Sequence, residues 1–235
     1  MISKFPIVQG LYDATWGRVF AGYYDKFLQK AEEAGLSESR RQVVSYAKGR
    51  TLEIATGTGL NLPYYTSSVT ELVLTEPYSH MLAQLRDKVE KAGYQASVVQ
   101  AYAEDLPFPD QSFDTVVATM ILCSAEKPGL VLSEIARVLK PNGQYLFLEH
   151  VRNPNPKVAR RQDQVQPAWY LFGNGCHCNR DTVTTLMESQ FNVEELNRGH
   201  IPHAWSIVEA MITGRARLSG VKSSERKVSP TDCSQ

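Results

Sequence analysis

Short runs rich in valine, isoleucine and leucine alternate along the chain with segments whose apolar residues recur every three or four positions. The runs fall at 50–55, "ELVLTE" (71–76), "ASVVQA" (96–101), "FDTVVATM" (113–120) and "GQYLFLEHV" (143–151), with two more at "FNVEELN" (191–197) and "AWSIVEAMITG" (204–214). This alternation predicts strands and helices interleaved in one α/β domain. One helix starts near Pro128 and is expected to stop at Pro141-Asn142-Gly143, because proline and glycine do not continue the hydrogen-bond ladder cheaply. Before the first strand, Tyr12, Trp16, Phe20, Tyr23, Tyr24 and Phe27 lie mostly three or four apart and predict one or two amphipathic helices over an apolar surface. From Leu218 onward the chain is polar and aperiodic, so residues 218–235 are expected to be a disordered tail to a domain spanning 1–217.

Composition narrows the function classes. The 235 residues carry 25 Lys+Arg against 25 Asp+Glu and are 43% hydrophobic, which suits a substantial core and gives no bulk affinity for nucleic acid. No run approaches the roughly 20 apolar residues of a spanning helix, and "MISKFPIVQG" has no signal-peptide core, so stable membrane insertion is not expected. Four cysteines (Cys123, Cys176, Cys178 and Cys233) without a secretory signal point to a reducing compartment, the cytosol by default.

The densest chemical signal is "RTLEIATGTGLNLPYY" (50–65), a strand leading into a turn with Gly57 and Gly59 and then a helix start. Such a turn lets backbone approach a ligand and presents unpaired N–H groups. A triphosphate loop would place Lys and Ser/Thr after the last glycine, but Leu60-Asn61-Leu62 follows. The dinucleotide fingerprint would need a third glycine where Leu62 stands. The strand itself carries an acid, Glu53, which suits a cationic ligand better than a pyrophosphate.

These residues resemble the class I S-adenosylmethionine-dependent methyltransferases, through "EIATGTG", the strand-end acid Glu76 in "LVLTEPYSHML", "AEDLPFPDQSFDTVV" and "EIARVLKPNGQYLFLEH" in order. Ala55 stands where the family usually has its first glycine, and Tyr102 where many members have an adenine-binding Asp. The resemblance implies a Rossmann-like seven-stranded sheet, mostly parallel with one antiparallel strand, helices on both faces and a helical lid over residues 1–48. It implies cofactor contacts from Glu53, Ala55, Thr56, Gly57, Thr58, Gly59, Asn61, Glu76, Pro77, Met81, Ala103, Glu104, Asp105, Thr119 and Met120, with Glu76 on the ribose hydroxyls. Tyr12, Trp16, Phe20, Tyr23, Tyr24 and Cys123 are the candidate walls of an acceptor pocket.

"LCSAEKPGLVLSEIARVLKPNGQYLFLEHV", "PAWYLFGNGC" and "GNGCHCNRD" resemble a subgroup holding animal microsomal alkyl-thiol S-methyltransferases and bacterial phospholipid or quinone methyltransferases. The favoured expectation is methyl transfer to a small hydrophobic acceptor, a thiol first. Methylation of a phospholipid amine or quinone precursor is the alternative, and a non-catalytic S-adenosylmethionine-binding partner is the third reading. A sulfonium methyl is already activated, so alignment and water exclusion are the main demands; a thiol acceptor would gain from a base, for which His150 and His177 are the candidates. Cys176, His177 and Cys178 are adjacent rather than spaced like zinc ligands, so no metal is expected. Asn179 or Asp181 is expected to cap the helix that follows.

Overall fold

The structure, a computed structural model, describes Thr15 and residues 17–220. Its elements in chain order are α1 (Arg18–Ala31), one wider helical turn (Glu32–Leu36), α2 (Ser37–Val44), β1 (Gly49–Ile54), a single 3-10 turn (Leu62–Tyr64) where a helix start is expected after the glycines, β2 (Val69–Thr75), α3 (Ser79–Ala92), β3 (Ala96–Val99), β4 (Phe113–Thr119), α4 (Pro128–Val138), β5 (Leu139–His150), α5 (Pro156–Phe172), α6 (Thr182–Met187), β6 (Phe191–His200) and β7 (Ala210–Leu218). The strands form one sheet in the order β3-β2-β1-β4-β5-β7-β6, and β7 alone runs against its neighbours.

Successive residues of the central strands bury on opposite faces, which is why those runs read as continuously apolar. On one face Val116, Ala118, Tyr145 and Phe147 pack with Val131, Leu132 and Ile135 of α4. On the other, Val117, Leu146 and Leu148 pack with Leu36, Val43 and Val44 around α2. Leu72 and Leu74 of β2 meet Leu85 and Val89 of α3.

Two expected boundaries move. The helix from Pro128 ends at Val138 and Leu139 already pairs with Phe113; residues 140–143 then bulge out before Gln144 rejoins opposite Thr115. Proline and glycine here shape a strand irregularity rather than stop a helix. The last strand lies at 210–218 instead of 204–214, because Val208 turns back on Trp205 (N–H to O, 2.8 Å). It continues through Arg215 and Arg217, which reach Glu194, while Ala216 is buried, so Leu218 closes the strand opposite Phe191 and is not part of a tail. Gly214 is required in it: a Cβ there would lie 2.1 Å from the Glu195 carbonyl oxygen and 2.6 Å from Phe147.

The N-terminal helices pack across the strand ends as the aromatic spacing predicts. The Asp25 carboxylate bonds the Thr58 hydroxyl and pairs with Lys88 at 3.5 Å, and Gln84 donates to the Ala21 carbonyl, so α1 is tied to the glycine turn and to α3. Tyr12 and Trp16 lie outside the described residues.

Candidate active site

Between β1 and β4 the chain switches from building one side of the sheet to building the other, and ligands of open α/β sheets bind at the carboxyl ends there. A cavity of 1770 Å³ opens at this place. Pockets that hold one drug-sized ligand measure about 300–1,000 Å³, so this space suits a cofactor and an acceptor together.

Its β1–β2 side is built by the glycine turn. β1 ends at Ile54, and Ala55 has φ +49°, the left-handed conformation that costs an alanine about 1–2 kcal/mol and a glycine little. Gly57 (φ +63°) faces the cavity: a Cβ there would meet only Met81 Sδ at 3.7 Å and Tyr24 Cε1 at 3.9 Å. Gly59 (φ +82°) has another task, since a Cβ would strike Leu62 at 2.7 Å and Leu85 at 2.9 Å. Glu76, 2% exposed, accepts the Gly57 N–H at 2.9 Å through Oε2 and the Tyr78 N–H at 3.0 Å through Oε1. Burial pushes its carboxyl up to about 7 against those two bonds.

Ala55, Thr56, Pro77, Met81, Ala103, Glu104, Asp105, Thr119 and Met120 also line the cavity; Glu53, Thr58, Gly59 and Asn61 stand behind it. Glu53 is enclosed by the chain's own groups: Asn61 Nδ2 donates to it at 3.0 Å and the Tyr65 hydroxyl at 2.5 Å. Burial raises it to about 7 despite these bonds and the charge of Arg40. Arg40, which the sequence reading missed, connects this group to the cavity wall. Its guanidinium pairs with Glu32 at 2.8 Å and donates to Asn61 Oδ1 at 3.1 Å and Thr119 Oγ1 at 3.2 Å. Nothing in "SESRRQVV" separates buried Arg40 from exposed Arg41 except helical phase.

The β4–β5 side has a different chemistry. His150, the last residue of β5, sets Nε2 2.9 Å from Cys176 Sγ, and Cys123 on the loop after β4 completes a buried group whose ligand atoms all lie within 4.8 Å of one another. The hydrogen bond with Cys176 holds the Cys123 thiol well below its usual range; burial opposes this and the His150 charge reinforces it. Burial alone would lower His150, but the Cys123 charge and hydrogen bond raise it. Glu149 fixes the loop: its Oε1 accepts the N–H groups of Ile121 and Leu122, both at 3.0 Å, and burial keeps its carboxyl far above the usual range. His177 is half-buried against Tyr170, takes part in a 3.1 Å bond with Gln166, and is lowered by burial and then by Arg180. It is therefore neutral near pH 7. Asp181, not Asn179, caps α6, accepting the Thr184 N–H at 3.0 Å, while Asn179 donates to Asp163.

Of the lid aromatics, Phe20 and Tyr24 stack at 5.5 Å and line the cavity, and Tyr23 lies at its rim, 64% exposed. Burial pushes the Tyr24 phenol up to about 12, so it is a donor rather than a base.

A methyltransferase domain model matches residues 52–147. Thiol S-methyltransferase TMT1B of Rattus norvegicus is 34% identical over 169 residues, covering 70% of this chain and 69% of that protein. The chain belongs to the class I S-adenosylmethionine-dependent methyltransferases. A phosphatidylethanolamine N-methyltransferase of Cereibacter sphaeroides is 39% identical over 132 residues, 53% of this methyltransferase and 64% of that one. Among solved structures, an S-adenosylmethionine-dependent methyltransferase of Thermotoga maritima superposes with a TM-score of 0.62 at 20% identity, covering 85% of this chain and 96% of its own.

The cavity fits that cofactor. Gly57 leaves open the volume a side chain would fill, Glu76 offers carboxylate oxygens beside it, and Arg40 brings a cation to the same wall. When bound, S-adenosylmethionine supplies a methyl group activated by its sulfonium. The protein's share of such a transfer is to hold and orient the two reactants and to exclude water from between them.

Proposed function

We propose that this methyltransferase acts on a small hydrophobic thiol. The observation that carries the reading is the placement of charge around the cavity. Its carboxylates, Glu76, Glu104, Asp105 and Glu126, all come from the loops after β2, β3 and β4. The lid, the α5 region with its following loop, and the 201–208 segment contribute apolar, aromatic and sulfur groups with Lys30, Arg40 and Arg180, and no acid. A charged amine entering that half would lose its hydration without a counter-ion, whereas a thiolate would meet cations and polarisable groups. The named thiol S-methyltransferase relative agrees with this choice. Three buried free cysteines fit work in the reducing cytosol, although the described residues establish only that no helix is long and apolar enough to cross a membrane.

A phospholipid acceptor is the second reading, favoured by an aromatic rim: Tyr23, Phe27, Phe172 and Trp205 are each more than half exposed. The pH dependence of turnover separates the two. With two alkyl thiols of different acidity, each rate should rise with pH as the acceptor loses its proton, the rising limb of the more acidic thiol lying at lower pH. Turnover confined to phosphatidylethanolamine vesicles, with neither thiol methylated, would defeat the thiol reading.

A further inference from the structure

Cys123, His150 and Cys176 come from three segments, the loop after β4, the end of β5 and the loop after α5, yet they converge on one point of the cavity wall. All three are more than nine-tenths buried. Buried cysteines are common as small apolar fillers, but two that close on one imidazole need a further reason. The imidazole is served by sulfur alone: Nε2 lies 2.9 Å from Cys176 Sγ with the Cys123 sulfur beside it, and Nδ1 is buried without a hydrogen-bond partner among the described residues.

The donor set is two soft sulfurs and one imidazole, the chemistry of zinc. Zinc–sulfur bonds of about 2.3 Å and zinc–nitrogen bonds of about 2.0–2.1 Å place tetrahedral ligand atoms about 3.5–3.8 Å apart. Ligand atoms already within 4.8 Å need only small shifts, the 2.9 Å contact opening by roughly half an ångström. The frame is fixed beforehand. Glu149 and Arg180 clamp the backbone around Cys123 from two sides, the His177 N–H bonds the Cys123 carbonyl at 2.9 Å, and the Trp169 indole N–H donates to Cys176 Sγ at 3.2 Å. That last bond is the outer-sphere donor a metal-bound thiolate takes. Three protein ligands with a side open to a cavity is the pattern of a catalytic zinc, whereas a structural zinc is closed by four.

We propose that Cys123, His150 and Cys176 hold a zinc ion whose fourth position, facing the cavity, takes the acceptor thiol as its thiolate. The acceptor role rests on the thiol reading above; the metal site does not. Coordination releases the acceptor's S–H proton to solvent. An electron pair on that sulfur forms the new S–CH3 bond, the methyl–sulfonium bond breaks, and its pair stays on the departing sulfur, leaving neutral S-adenosylhomocysteine. Zinc keeps its oxidation state, and the product thioether, a weaker ligand, leaves. The adjacent Cys-His-Cys triplet is split accordingly: Cys176 joins the site, while His177 and Cys178 face Gln166.

The full chain, reduced and stripped of metal, should take up one equivalent of zinc in competition with a chromophoric chelator. C123S, H150A and C176S should each weaken it by more than about 100-fold, beyond the 10–100-fold typical of outer-shell partners. C178A should bind like wild type, and S-adenosylmethionine binding by each variant verifies its fold. With cobalt in place of zinc, thiolate-to-metal charge-transfer bands should appear and shift when 2-mercaptoethanol is added without cofactor. No zinc uptake by the reduced protein, or uptake unaffected by the three substitutions, overturns the site and leaves the thiol reading untouched. Cobalt bands that ignore the thiol overturn the open position. Turnover of a thiol by the metal-free protein at the full rate overturns the acceptor role alone.

Discussion

Glu76→Gln changes one oxygen to an NH2 at the centre of the cofactor side, and its effect should depend on pH. The wild-type carboxylate accepts two backbone N–H groups with separate oxygens, at 2.9 and 3.0 Å. The amide keeps a single acceptor oxygen and loses the charge. Near pH 8 the wild-type group is ionised, and losing charge-assisted bonds to a vicinal diol should cost about 2–4 kcal/mol of cofactor affinity. Because burial lifts the carboxyl to about 7, wild type at pH 6 must first release a proton in order to bind, which costs about 1.4 kcal/mol per unit below that value. The gap between wild type and variant should therefore shrink by about that amount from pH 8 to pH 6. Stability runs the opposite way: a carboxyl raised from 4.5 to about 7 stabilises the unliganded fold fully below its unfolded value, and that contribution is lost as pH rises through 7. Calorimetric titration of S-adenosylmethionine at pH 6, 7 and 8 and constant ionic strength measures the gap. Parallel profiles for wild type and variant would refute the assignment, because Glu53, the other carboxyl raised to about 7, is present in both.

Gly57→Val should abolish cofactor binding, since its side chain would occupy the cavity, and should lower the melting temperature by a few degrees, since valine is strained at φ +63°; Gly59→Ala adds clashes with Leu62 and Leu85 to the same kind of strain and should destabilise the fold without filling the cavity, so calorimetry and thermal melts on both distinguish the two glycines. Arg40→Met leaves Glu32 and Asn61 facing a buried gap and should cost about 3 kcal/mol in denaturant unfolding. Arg41→Ala, at an exposed pair, should change almost nothing, and equal effects would remove Arg40 from the network. Ala55→Gly relieves a left-handed alanine and should stabilise by about 0.5–1 kcal/mol, a rise of a few degrees in Tm; a fall would mean that the loop gains nothing from glycine.

The strands of the central sheet were legible because burial on both faces leaves a run of valine, leucine and isoleucine with little else, as at "FDTVVAT". The glycine turn was legible because its constraints are local: Gly57 and Gly59 each have φ > 0 within a few residues of a strand end. What escaped was non-local or at odds with local pattern. The last strand was displaced because "ITGRARL" alternates charged and apolar residues while the more apolar "AWSIV" before it makes a turn. Arg40 and Glu149 are polar residues buried by partners far along the chain, such as Thr119, 79 positions from Arg40. Cys123, His150 and Cys176 are separated by tens of residues, so no spacing rule brings them together, and of the adjacent triplet 176–178 only Cys176 belongs to that group.

Methyl-deuterated S-adenosylmethionine offers the most direct measurement. Purified protein is incubated with it in the presence of alkyl thiols, amines, phosphatidylethanolamine vesicles and a quinone precursor, each acceptor separately, and products are weighed by mass spectrometry. The account predicts a labelled methyl thioether formed mole for mole with S-adenosylhomocysteine, and no label in the amines or lipids. Label appearing in the phospholipid or the quinone precursor and never on sulfur would contradict it.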